Sequence, residues 1–167
     1  MARHVFYSFH FNNDFARVQQ VRNINSISGQ TYATPQQWED AKGKGDAAVK
    51  SWIDSQMNGK SCLVVLVGSQ TASRKWVKYE IEKAWNDKKG VLGVHINKLK
   101  DLNGNTSSKG SSPFSTFSMC DGKVAMSSVV QLKTPAGSTS KETYGSIADN
   151  LESWIEEAIS IRKNFSC

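Results

Sequence analysis

Ser61 to Trp85 reads SCLVVLVGSQTASRKWVKYEIEKAW, and its opening run decides the fold. Cys62-Leu63-Val64-Val65-Leu66-Val67 is unbroken, apolar, rich in β-branched residues and of strand length. A run with no polar face to show water reads as a central strand covered on both sides. The break Gly68-Ser69-Gln70-Thr71-Ala72-Ser73 follows, with Ser73 as the expected helix N-cap. From Arg74 to Asn86 the period is helical. Trp76, Val77, Ile81, Ala84 and Trp85 fall on one half of the wheel, and Lys78, Tyr79, Glu82 and Lys83 take the other. Glu80 breaks that division, lying between Trp76 and Ala84 inside the apolar arc and near its edge.

A carboxylate on the core side of a helix is costly unless something pairs with it. Glu80 therefore has two readings. In the first it sits at the rim of the core and reaches a lysine or a backbone donor. In the second it is a functional acid at the C-terminal edge of the sheet, where open α/β folds bind their ligands. Trp76 lies one turn earlier on the same side, and its period predicts a loss of about 3 kcal/mol on truncation to alanine.

Working outward, His4-Val5-Phe6-Tyr7-Ser8-Phe9 reads as the first strand. A turn through His10-Phe11-Asn12-Asn13-Asp14 leads to a helix from Phe15 to about Arg22, with Asp14 as its expected cap. That turn places aromatics, a histidine and two amides beside a strand end. Phe9 and Phe11 either close the sheet edge or face a planar base. Residues 23–45 are polar, with a weak second strand near Ser26-Ile27 or Thr31-Tyr32. Asp46 is expected to cap a helix carrying Val49, Trp52, Ile53 and Met57, which Gly59 ends. Val91 to Ile96 is another buried strand, and its His95 reads as a core-edge histidine rather than a catalyst.

Residues 101–143 change character, with 19 of 43 positions Ser, Thr or Gly. They read as a loop excursion within one domain of 167 residues, with an edge strand expected between Lys123 and Leu132. Ile147, Leu151, Trp154, Ile155, Ala158 and Ile159 give the chain a closing amphipathic helix. The fold class is therefore α/β, with a central parallel sheet of four or five strands and helices on both faces.

Composition excludes several functions. No apolar run approaches the roughly 18 residues of a membrane span. Met1-Ala2-Arg3-His4 leads straight into a strand without a signal peptide, so a cytoplasmic protein is expected. Cys62, Cys120 and Cys167 form no C-x-x-C pair and are expected as reduced thiols. The net charge of +6 is scattered rather than gathered into an arm, so a nucleic-acid partner is not expected. Three distant histidines give no metal site. Gly59-Lys60-Ser61 precedes a strand and cannot form a phosphate loop, and Tyr7-Ser8-Phe9 with Gly68-Ser69 replaces the acidic residues of a receiver domain.

Leu66-Val67-Gly68-Ser69 followed by Ser73, Trp76, Val77, Glu80 and Ile81 resembles the core of TIR domains. With HVFYSFHFNNDFARVQQVRNI and GDAAVKSWIDSQMNGKSC, the closer resemblance is to the TIR-like B component of the bacterial Thoeris antiphage system. It covers residues 3 to about 100 well, the last helix loosely, and 101–143 poorly. It implies a flavodoxin-like, TIR-like three-layer fold over residues 1–167. It also implies cleavage of NAD at the nicotinamide bond, with the ADP-ribosyl unit cyclised into a signal that reaches an effector protein. Glu80 would be the catalytic residue. Phe9, His10, Asn12, Asp46 and Trp76 would bind NAD, which is substrate rather than cofactor. A mobile loop within 23–45 would gate the site, a phage-derived trigger would act on the protein, and it would self-associate. From its length alone, the segment 101–143 is expected to fold over the opening and keep water out. The rival is a non-catalytic TIR scaffold acting by self-association or partner binding.

Overall fold

Strand β3 (Cys62–Val67) is buried at all six residues, as an apolar run without a polar face requires. The computed structural model describes residues 3–24, 28–29 and 42–167. Around β3 stand β1 (His4–Ser8), β2 (Ser28–Gly29), β4 (Gly90–His95) and β7 (Leu132–Lys133), in the spatial order β2-β1-β3-β4-β7. Every pairing is parallel, and the register runs from Val5 opposite Cys62 to Val67 opposite His95. β5 (Ser118–Met119) and β6 (Val124–Ala125) form a separate antiparallel hairpin.

The two faces are covered by different helices. α1 (Phe11–Arg22) and α4 (Ser140–Asn164) bury Val18, Val21, Ile147, Leu151 and Ile155 against one face. α2 (Asp46–Met57) and α3 (Lys75–Asn86) bury Val49, Ile53, Met57, Val77 and Ile81 against the other. This is the expected three-layer α/β arrangement with five parallel strands. The chain moves from β1 outward to β2, then back across to β3, so the order reverses between β1 and β3. A crevice opens at such a reversal, outside the carboxyl ends of the strands.

Several local expectations are corrected. α1 starts at Phe11 rather than Phe15, with His10 at the cap position and Asp14 inside the first turn. Asp14 does not cap because its carboxylate is buried against Arg17, Nη1 to Oδ1 at 3.0 Å. Arg17 also donates to the carbonyls of Leu99 and Asn105, which ties α1 to the start of the excursion. Ser73 belongs to a 3₁₀ turn (Thr71–Ser73), and Arg74 is the cap of α3. Gly45, at φ 95°, occupies the cap of α2 in place of Asp46. The strand expected at Ser26-Ile27 or Thr31-Tyr32 falls outside the described residues, as does most of the gating loop expected within 23–45; β2 is Ser28–Gly29.

Residues 101–143 are more than loop. Phe114, Met126 and Val130 enter the core beneath α3, and the edge strand is Leu132–Lys133, at the end of the span expected for it, while Val124–Ala125 pairs in the separate hairpin. Gly110 lies so close to the end of β3 that a β-carbon there would meet the Gly68 carbonyl oxygen. The excursion thus crosses the carboxyl end of β3 on the side of α1. Cys120 and Cys167 are disulfide-bonded rather than reduced, joining the β5–β6 turn to the residues after α4; Cys62 is free and buried.

Closing a loop across 47 residues removes chain entropy from the unfolded state worth about 4 kcal/mol in the simplest account. Cys167→Ser is expected to lower stability by roughly 2–4 kcal/mol under oxidising conditions. Urea denaturation with and without reductant checks this: reductant should weaken the parent chain and leave the variant unmoved.

Candidate active site

The crevice at the reversal point is a cavity of about 230 Å³. Its walls come from three places: Phe6, Tyr7, Phe9, His10, Phe11 and Asn12 from β1 and the start of α1; Trp52 from α2; and Arg74 to Val77 with Glu80 from the start of α3. Lys42 adds a further basic residue. Two tethers align α2 with α3. Lys75 pairs with Asp46 where both helices begin, and the Tyr79 hydroxyl donates to Asp54 Oδ1 at 2.7 Å one turn further on.

Glu80 faces this cavity from the buried side of α3 and is only 6% exposed. Burial pushes its carboxyl well above the ordinary range, and the Ser8 hydroxyl on β1 offsets this only in part. That hydroxyl is itself buried without an aligned hydrogen-bond partner among the described residues. Among the described residues no lysine or backbone donor reaches Glu80, so the rim reading is not met there. The side chain rests in a poorly solvated site that favours its neutral form.

The opening is aromatic on one side and basic on the other. Phe9 stacks on Phe11 with centroids 5.1 Å apart, and Phe11 on Phe15 at 5.2 Å. Both rings line the cavity beside the end of β1. Trp76 meets Tyr79 edge-on at 5.8 Å, with the Lys75 ammonium 4.9 Å from the Trp76 ring centre. Burial lowers the pKa of His10, helped by the positive charges of Arg74 and Lys42, so its ring is neutral at neutral pH.

Of the six residues singled out from sequence, Phe9, His10, Asn12, Trp76 and Glu80 come together on this lining. Asp46 does not. It is exposed at the start of α2 and, among the described residues, meets the site through Lys75. Trp76 is half-buried rather than a core residue, because its indole forms cavity wall. Trp52, Lys42, Arg74 and Lys75 were missed. Arg74-Lys75 was counted only as part of a scattered net charge, and the usable signal was its position just ahead of Trp76 at the carboxyl edge of the sheet. No residue of 101–143 lines the cavity, so that segment does not cover the opening as expected. His95 is buried at the end of β4, away from this lining. Among the described residues no group of three or more His, Cys, Asp or Glu is placed to hold a metal ion.

The raised Glu80 carboxyl makes stability depend on pH with a definite sign. Below the ordinary carboxyl range both folded and unfolded chains carry the proton. As pH rises the unfolded chain ionises first, so folding loses stability until the folded carboxyl has also ionised. Glu80→Gln removes this loss, and its stability relative to the parent should improve between pH 4 and pH 8. Urea denaturation at the two pH values measures it; parallel behaviour would mean a water-exposed carboxylate. Trp76→Ala should cost about 1–2 kcal/mol rather than 3, because the side chain is only partly buried.

Comparison with known proteins adds to this geometry. Over 121 residues the chain is 43% identical to the Bacillus cereus (strain MSX-D12) protein named "putative cyclic ADP-D-ribose synthase ThsB1". The alignment takes in 68% of this chain and 62% of that relative, so the chain spans less than two thirds of the relative's length. No helix among the described residues is long and apolar enough to cross a membrane. Residues 6–101, more than half of the chain, match the family described as Thoeris protein ThsB, TIR-like domain, and to that family the chain belongs.

Proposed function

We propose that this protein cleaves NAD at the bond between nicotinamide and ribose and closes the ADP-ribosyl unit into a cyclic nucleotide. The observation that carries the reading is the buried Glu80 carboxyl at the base of an aromatic cavity with a basic rim. The name of the Bacillus cereus relative, a cyclic ADP-D-ribose synthase, points to the same chemistry.

The nicotinamide riboside end of NAD enters the cavity, and its diphosphate lies toward Arg74, Lys75 and Lys42. Phe9, Phe11 and Trp76 supply flat apolar surfaces for the rings. Asn12 and neutral His10 offer hydrogen bonds, and Asp46 holds Lys75 in place. The pyridinium ring brings positive charge beside Glu80, which draws that carboxyl into its ionised form. When the C1′–N bond breaks, nicotinamide leaves with the electron pair and is neutral. The positive charge moves onto the ribose, where the Glu80 carboxylate stabilises it and accepts hydrogen bonds from the ribose hydroxyls. A nucleophile elsewhere on the same molecule then bonds to C1′ and gives up its proton. Cyclisation prevails where water is kept from C1′, and the aromatic side of the opening serves that purpose in place of 101–143.

The reaction uses NAD as substrate and needs nothing beyond the chain's own residues. The cyclic product carries the signal to an effector protein, and a phage-derived trigger switches the enzyme on. The setting is the cytoplasm, where NAD is found, and self-association of the domain accompanies activity. A non-catalytic scaffold has no use for a carboxylate buried at its cavity base, where it opposes folding.

Two measurements check the reading. Glu80→Gln should fold normally and reduce nicotinamide release by at least about 100-fold, the scale of losing one charge-stabilising group. Release at the parent rate would remove Glu80 from the chemistry. Mass detection after full turnover should show a product one water lighter than ADP-ribose. A dominant ADP-ribose peak would show that water reaches C1′.

A further inference from the structure

A second cavity, of about 110 Å³, lies beyond the carboxyl end of β4 and is separate from the one that holds Glu80. His95, Lys98, Lys109, Thr134 and Thr143 line it, together with Asn97 and Pro135. His95 is 4% exposed and Thr143 1% exposed, yet neither His95 Nδ1 nor Thr143 Oγ1 has a hydrogen-bond partner among the described residues. Two such atoms on one small cavity are costly unless something there satisfies them.

The charges around them have one sign. Among the described residues no carboxylate lines the cavity. Lys98 Nζ donates to the Gly137 carbonyl at 2.9 Å, and Lys109 Nζ to Thr134 Oγ1 at 3.3 Å. Each ammonium has three protons to give and is engaged here by a neutral acceptor, so donors remain for an anion. Thr143 stands in the first turn of α4, where the aligned peptide dipoles also favour negative charge.

We propose that this cavity binds a single small oxyanion of the phosphate class, held by Lys98 and Lys109 and reached from inside by Thr143 and His95. The volume suits one such group and excludes a nucleotide base or sugar. The group is either a free ion or the terminal phosphate of a ligand whose remainder lies outside. In its absence burial and the Lys109 charge hold His95 down at about 4. A bound anion reverses the second influence and stabilises the imidazolium, so His95 reports on occupancy.

The test follows the His95 ring carbons by NMR in the full-length protein, with the resonance assigned through His95→Gln. Inorganic phosphate is titrated in one arm and adenosine monophosphate in the other. The proposal expects a saturable shift of His95 and a rise in its apparent pKa. Phosphate alone acting identifies a free ion, and both acting identifies the end of a larger ligand. Lys109 is exposed, so Lys109→Ala should keep the fold and weaken the response at least 10-fold, and Thr143→Val should do the same. An unmoved His95 in both arms, or a shift that survives Lys109→Ala unchanged, would overturn the site and leave water as the occupant.

Discussion

A carboxyl group held out of water at the end of a parallel sheet is the constraint around which this molecule is arranged. Glu80 lies on the same face of α3 as Val77, Ile81 and Ala84, and the helix cannot bury those residues without burying it. Its neutral form is favoured by burial, and only the Ser8 hydroxyl of β1 works in the other direction. Such a group opposes folding near neutral pH, where its ionisation in the unfolded chain is lost on burial. The rest of the fold must outweigh that opposition. It does so with two apolar layers, one on each face of β3, and with the tethers Asp46–Lys75 and Asp54–Tyr79 that hold α2 against α3.

The position of the cavity follows from topology. Reversal of strand order between β1 and β3 opens the crevice, and the short connection after β3 delivers the start of α3 to its edge. α1 leaves on the opposite face and contributes its first residues to the same edge, so Phe9, His10, Phe11 and Asn12 arrive beside Glu80 from the far side. A buried ion pair, Asp14–Arg17, then binds α1 to Leu99 and Asn105. Removing one partner of such a pair leaves an uncompensated charge in the core, so the excursion and the site share a common anchor.

Much of this was legible in the residues alone. The apolar run of β3 and the period of α3 sufficed for a covered parallel sheet and for Glu80 on the wrong side of its helix. Phe9 and Trp76 could be placed at the strand edge by counting. What stayed hidden depends on distances between remote segments. Asp14 looked like a helix cap because its sequence neighbours suit one, and only the fold reveals that Arg17 claims its carboxylate. Cys120 and Cys167 looked like unrelated thiols because nothing local joins a hairpin turn to the residues after a helix. Leu132-Lys133 is too short and too polar to read as a strand until β4 stands beside it. Asp46 had the right neighbourhood and the wrong direction, meeting the site through Lys75.

The central claim is that Glu80 meets the ribose of NAD in this cavity. A structure of the protein with carbocyclic NAD, which keeps the shape of the substrate and lacks the cleavable glycosidic bond, tests it most directly. The account predicts the nicotinamide end between Phe9 and Trp76, with a ribose hydroxyl within about 3.2 Å of a Glu80 oxygen, the reach of a hydrogen bond. An analogue seated elsewhere, or one whose ribose lies beyond reach of Glu80, would contradict it.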